Sequence, residues 1–151
     1  MGVATMTRAE REAFLAETRY GVLSVAREGR GPVSVPIWHR WDAEHGELRF
    51  TSGLYSKKGK ALVAAGRASY TVHDPDLGRG RYVMVEGPVT YDEDFDIDVE
   101  LIGVGKRYQG DERGEAYVRS TYMDGDKVLY HIVLWRIAAE TWLSFDTAKL
   151  G

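Results

Sequence analysis

The chain has 151 residues, enough for one domain with a sizeable core and too few for two full ones. Its 44% hydrophobic and 28% charged content is ordinary for a globular protein, and no apolar run is long enough for a transmembrane helix. A net charge of −3 argues against the extended basic face of a nucleic-acid binder, and the lack of cysteine excludes disulfides, thiolate metal sites and a thiol nucleophile.

The first residues, Met1 to Arg8, lack the apolar core of a signal peptide, so a cytoplasmic location without a membrane partner is expected. Thr7-Arg8-Ala9-Glu10 has the spacing of a capping box and predicts a helix to about Glu17. Tyr20 to Ala26 reads as a strand, and Arg27 to Pro32 as a turn. Val33 to Trp41 is a second strand, with Val33, Val35, Ile37, His39 and Trp41 on one face; Pro36 lacks a donor and assigns it to an edge or a bulge. Asp42 to Gly46 turns into a third strand, Glu47 to Ser52, and a helix follows from the lysines through Ala65. Ala68 to His73 is a strand, Asp74 to Gly80 a loop, and Arg81 to Tyr91 a long strand with a bulge expected at Gly87-Pro88. Asp92 to Gln109 is helical, with a stripe of Ile97, Leu101, Val104 and Tyr108, and Asp111 to Tyr122 holds a shorter helix. Lys127 to Ala138 reads as the final strand, apolar on both faces, which points to a second subunit covering one of them. The whole is one domain, 1–151, of the α+β, mainly β class: a six-stranded antiparallel barrel with peripheral helices.

Three of the six lysines fall in Ser56-Lys57-Lys58-Gly59-Lys60, at the start of the helix between the third and fourth strands. A helix N-terminus carries partial positive charge, and each lysine there costs roughly 0.3–1 kcal/mol unless an anion is bound. Such a local conflict marks a candidate functional site, and the simplest compensation is a phosphate held by backbone N–H groups and ammonium groups together. Thr51, Ser52 and Ser56 add hydroxyls suited to phosphate oxygens. The segment is not a nucleotide-binding P-loop: five residues separate Gly53 from Gly59 where the pattern needs four, and Ala61 stands where it needs Ser or Thr.

Other constellations carry less. His39, His45, His73 and His131 have no zinc spacing; His39 reads as a core histidine and His131 as core or interface. The acids Asp92, Glu93, Asp94, Asp96 and Asp98 suit a helix start, not a catalytic pair, and no nucleophile-elbow motif is present. Trp38, Trp41, Trp135 and Trp142 are numerous enough for one to stack on a cofactor ring.

The segment Phe50-Thr51-Ser52-Gly53-Leu54-Tyr55-Ser56-Lys57-Lys58-Gly59-Lys60-Ala61-Leu62 resembles the FMN-phosphate segment of the pyridoxamine 5′-phosphate oxidase-like split-barrel family. Gly66 to Val72, Gly21 to Val25, Val33 to Trp38 and Tyr82 to Val89 are similar to its other barrel strands, so the likeness runs from about Arg8 to Phe145. The resemblance implies a six-stranded antiparallel split β-barrel homodimer with flavin sites at the subunit interface and a small-molecule substrate. By that likeness Ser56, Lys57 and Lys58 hold the FMN phosphate, and Thr51 and Ser52 contact phosphate or ribityl. Val35, Pro36, Ile37 and Trp38 run beside the ring, and Trp142 packs near it from the partner. Lys57 in place of the family's usual Arg keeps the charge and loses bidentate geometry. After Trp142 the chain reads Leu143-Ser144-Phe145-Asp146, without the Arg and His that bind pyridoxal phosphate in true pyridoxamine-phosphate oxidases. The expectation is therefore an oxidoreductase using FMN or the deazaflavin coenzyme F(420), a cofactor compatible with the arginine-rich, asparagine-free composition. A flavin-binding carrier or sensor is the non-enzymatic alternative, and haem on His39 or His131 a third reading.

Overall fold

The computed structural model describes residues 2–151. Helix α1, Arg8–Ala16, begins as the capping box predicts: the Thr7 hydroxyl accepts from the Glu10 N–H at 3.2 Å. Strands β1 (Gly21–Arg27), β2 (Arg30–Ile37), β3 (Arg40–Asp42) and β4 (Glu47–Gly53) follow, then helix α2 (Lys57–Ala65), and strands β5 (Arg67–His73) and β6 (Arg81–Asp92). A π-helical turn, Asp98–Ile102, leads into α3 (Gly103–Gln109) and α4 (Asp111–Tyr122). The ribbon β7 (Met123–Asp124) and β8 (Lys127–Val128), strands β9 (Ile132–Ala138) and β10 (Thr141–Asp146), and a short 3₁₀ turn complete the chain.

The antiparallel sheet runs β2-β1-β5-β6-β9-β4-β3, with β10 added beside β6. Its two edge strands, β2 and β3, are consecutive in the chain and separated only by Trp38 and His39. Edges that close in space require the sheet to roll into a barrel, and the seam between them is spanned by covalent chain where ladder bonds end. Pro36 on β2 therefore sits on an edge, as its missing donor demands. The interior is filled by alternate residues such as Leu23, Phe50, Tyr70, Val85 and Trp135, with Phe14 and Leu15 of α1 and Leu62 of α2 packed on them. A second cluster, Leu101, Ile102, Val118 and Met123, unites the helical segment with the ribbon.

The barrel class is as expected, but among the described residues the strand count is eight in the main sheet plus a two-stranded ribbon, not six. The predicted second strand breaks at Trp38-His39, and the predicted final strand divides into β8 and β9. Strand β10 has an inverted pattern: Ser144 and Asp146 are buried while Leu143 is exposed, and the buried Ser144 hydroxyl accepts the Met6 N–H at 3.1 Å. Hydrophobic alternation is blind to such a strand. Gly87-Pro88 is not a bulge but a change of partner, since β6 pairs with β5 as far as Pro88 and with β9 from Val89. Gly87 is required there, because a Cβ would lie 1.7 Å from the Ala138 carbonyl oxygen. The helix predicted from Asp92 starts at Asp98, because β6 extends to Asp92, which pairs with Leu134 and bridges Arg136. Finally, β9 is buried on both faces within one protomer, so the argument for a covering subunit from its two-faced pattern fails.

His39 closes the seam from inside. Its Nε2 donates to the Leu15 carbonyl at 2.9 Å, which fixes Nδ1 as an acceptor 3.0 Å from the Tyr70 hydroxyl and 3.2 Å from that of Tyr108. Each hydroxyl also lies within hydrogen-bond distance of a carbonyl, Tyr70 of Ile37 at 2.7 Å and Tyr108 of Arg19 at 2.6 Å; with one proton apiece, one hydroxyl donates to Nδ1 while the other donates to its carbonyl. With both ring nitrogens engaged in the core, His39 is a structural group, not a haem ligand. Burial lowers its pKa from 6.5 to about 4, the Arg107 charge adding to the effect against the raising Leu15 bond. The unfolded chain therefore takes up this proton first. Stability from the neutral hub is complete above pH 6.5 and falls by about 3 kcal/mol as pH drops towards 4. Urea unfolding at pH 7.5, 5.5 and 4.5 is expected to show this slope, and His39→Gln to flatten it.

Candidate functional site

The site is built around the start of α2. Ser56 is its N-cap: the hydroxyl accepts the Gly59 N–H at 3.1 Å and donates its own proton to the Gly53 carbonyl at 2.7 Å. Lys57 and Lys58, at the first two helical positions, keep N–H groups without intrahelical acceptors. No acid lies in this first turn, so the electrostatic conflict seen in the sequence is real. Gly59 permits the helix to seat directly on the end of β4: a Cβ would lie 2.3 Å from the Gly53 carbonyl oxygen and 2.4 Å from that of Leu54.

Beside this helix start lies a cleft of about 690 Å³, within the usual range of ligand pockets. One wall is barrel: Pro36, Ile37 and Trp38 at the seam, Thr51, Ser52 and Gly53 of β4, and Ile132 of β9. The other is helical: Leu101, Val104, Tyr117, Val118 and Tyr122. Ser56 and Lys58 lie in the lining, and Tyr20, Tyr55 and Tyr130, all more than half exposed, line it too. Lys58 is the single fully charged side chain among these lining residues; there is no carboxylate, histidine or arginine. The arrangement suits a ligand with one anionic group and a long, largely apolar or aromatic body.

Aromatic contacts order the wall. Trp38 stacks on Tyr108 with ring centres 5.0 Å apart and planes 9° from parallel, and its other neighbour, Tyr117, lies at 5.8 Å. Tyr117 and Tyr122 bring their hydroxyls to 3.3 Å of each other. That hydrogen bond and burial push Tyr122 up to about 12, so it stays neutral at physiological pH. The helical wall is fixed from behind by Glu100, which is 4% exposed and accepts from Arg40 of β3 and, at 3.3 Å, from Arg49 of β4. Leu101 follows Glu100 directly and faces the cleft.

Of the ten residues singled out from sequence, seven line this cleft: Pro36, Ile37, Trp38, Thr51, Ser52, Ser56 and Lys58. Val35 packs against the barrel core instead. Lys57 is exposed and outside the lining, as is Lys60. Trp142 sits in a different depression of about 230 Å³, its ring edge-on to Trp41 and under the Arg11 guanidinium. His131 is neither core nor interior strand; it stands in an exposed turn, 3.2 Å from Glu93. Sequence reading missed the helical wall and the tyrosine rim altogether. Nine tyrosines in the chain were the available signal, but nothing in their spacing shows which share a wall.

No family model matches the sequence, and no curated protein matches it. Solved structures do share its fold. A conserved hypothetical protein of Mycobacterium tuberculosis is similar over 100% of this chain and 91% of its own, with TM-score 0.80 and 24% identity. An F(420) reductase is similar over 87% of this chain and 94% of its own, with TM-score 0.67 and 22% identity. A pyridoxamine 5′-phosphate oxidase-related, FMN-binding protein of Nostoc punctiforme is similar over 91% and 79%, with TM-score 0.61 and 16% identity. At these identities the likeness establishes the split-barrel fold of FMN-binding and F(420)-reductase proteins.

The Glu100 pin gives a direct test of how the two walls are joined. Glu100→Ala leaves two arginines without their shared buried carboxylate, and is expected to cost about 3 kcal/mol or more in urea unfolding at neutral pH.

Proposed function

We propose that this protein is a flavin- or deazaflavin-dependent oxidoreductase, binding FMN, or alternatively coenzyme F(420), in the cleft. The observation that carries the reading is the placement of Lys58 and the open N–H groups of α2 at one end of a cleft that is otherwise apolar and aromatic. Lys58 and the backbone N–H groups of Lys57 and Lys58 would hold the phosphate, with helix dipole and ammonium charge acting together. Ser56 serves differently from the expectation: its proton is committed to Gly53, so it shapes the cradle by capping the helix. The close seating that Gly59 allows brings the start of α2 against the end of β4, which supports a phosphate held there.

Thr51 and Ser52 then face the linking chain, and Pro36 to Trp38 and the helical wall enclose the ring. The cofactor supplies hydride transfer at ring atom N5, or C5 in a deazaflavin, while the protein binds, orients and excludes water. A homodimer belongs to this reading: a second copy would cover the open side, where Tyr20, Tyr55 and Tyr130 are exposed, and bring its Trp142 towards the ring. Support for coenzyme F(420) in particular comes from Lys57 and Lys60, which extend positive charge outward beyond the phosphate position and suit a cofactor with a longer anionic tail.

The absorption spectrum of the purified or cofactor-titrated protein tests this. Two flavin bands identify FMN, and one violet-blue band the deazaflavin. Failure to bind either contradicts the reading. Lys58→Ala is expected to weaken binding about tenfold or more, the scale of a lost charge-assisted contact. Reduced cofactor that then turns over an added acceptor separates an enzyme from a carrier or sensor.

A further inference from the structure

The turn at Leu129–Ile132 breaks a local rule at the lip of the cleft. Tyr130 has φ 59° and His131 φ 51°, and the Ile132 N–H closes the turn onto the Leu129 carbonyl at 3.3 Å. Positive φ at both central positions is the type I′ pattern, for which Asn-Gly is the preferred pair. Histidine tolerates this region better than most side chains, whereas a bulky tyrosine there is an outlier. Core packing does not explain Tyr130, which is 70% exposed.

The neighbouring segment holds the turn in place. The Leu54 N–H donates to the His131 carbonyl at 2.9 Å, and a Cβ on Gly53 would lie 3.0 Å from the Tyr130 carbonyl oxygen. The His131 ring meets Tyr55 edge-on at 4.8 Å while its Nε2 lies 3.2 Å from Glu93. Gly53 to Tyr55 is the stretch that leads into Ser56 and Lys58, so the strained turn is tied to the helix start and places Tyr130 in the cleft lining near it. Strain retained for an exposed aromatic ring points to a ligand contact.

We propose that Tyr130 is a specificity-determining residue of the cleft, contacting with its ring and hydroxyl the hydroxylated chain that adjoins the cofactor's phosphate. This rests on the flavin-type reading above, and it assigns a ligand contact to a residue that reading places only on the open side of the cleft. In the test, FMN and coenzyme F(420) are titrated into wild type, the double variant Tyr130→Asn with His131→Gly, Tyr130→Ala and Lys58→Ala, and thermal unfolding is recorded without cofactor.

The double variant relieves the backbone and removes the ring. Its midpoint is expected to rise by about 2–4 °C while the dissociation constant of the bound cofactor rises at least fivefold. Tyr130→Ala keeps the strain and is expected to lose affinity without gaining stability. A stabilised double variant that binds as tightly as wild type overturns the proposal, as does one with no gain in midpoint, or a Tyr130→Ala protein of unchanged affinity. Loss of binding in Lys58→Ala alone would overturn this role and keep the phosphate reading; a wild-type protein that binds neither cofactor overturns both.

Discussion

Two residues bridge the open edges of the sheet, and much of the site follows from that short connection. Trp38 and His39 join β2 to β3, so the sheet must roll until its outer strands meet. The chain turns one side chain inward and one outward. His39 is fully buried and hydrogen-bonds α1, β5 and α3 through Leu15, Tyr70 and Tyr108. Trp38 lines the cleft and stacks on Tyr108, the same residue whose hydroxyl receives the His39 backbone N–H at 3.1 Å. Barrel closure, attachment of the helical wall and the shape of the cleft are thus coupled through one pair of neighbours.

The chemistry of the cleft comes from what it leaves out. A lining without carboxylate, histidine or arginine carries its one ammonium group at the end where α2 begins. The charges of the region are spent behind the wall. Glu100 is shared by Arg40 and Arg49, and Arg49 also reaches Asp42 at 2.7 Å and Glu47 at 3.0 Å. This separation keeps the cleft apolar while ion pairs fix the helical segment to the sheet. On the proposed reading, such a lining positions a redox cofactor that brings its own reactivity.

The sequence made the barrel legible where local rules and fold agree. The Thr7 cap, the strands β1, β4 and β5, and the edge position of Pro36 all read correctly. The lysine conflict at α2 located the charged end of the cleft, and the resemblance around it supplied the seam residues. What stayed hidden depends on tertiary context. Strand β10 buries Ser144 and Asp146, so its pattern is polar on the inside. The two-faced apolar pattern of β9 reflects burial within the one protomer, which sequence cannot distinguish from burial against a partner. Tyr130 and His131 carry no turn chemistry, and only the backbone shows that they form one. Lys57 and Lys58 look equivalent in sequence; helical rotation alone selects Lys58 for the cleft.

The central claim is that the start of α2 is a phosphate cradle, and the most direct measurement compares two ligands that differ only in that group. Titration with FMN and with riboflavin, followed by quenching of flavin fluorescence, isolates the phosphate from the ring. The account predicts FMN to bind more tightly by about tenfold or more, with the difference much reduced in Lys58→Ala. Equal affinity for FMN and riboflavin in the wild-type protein would contradict it.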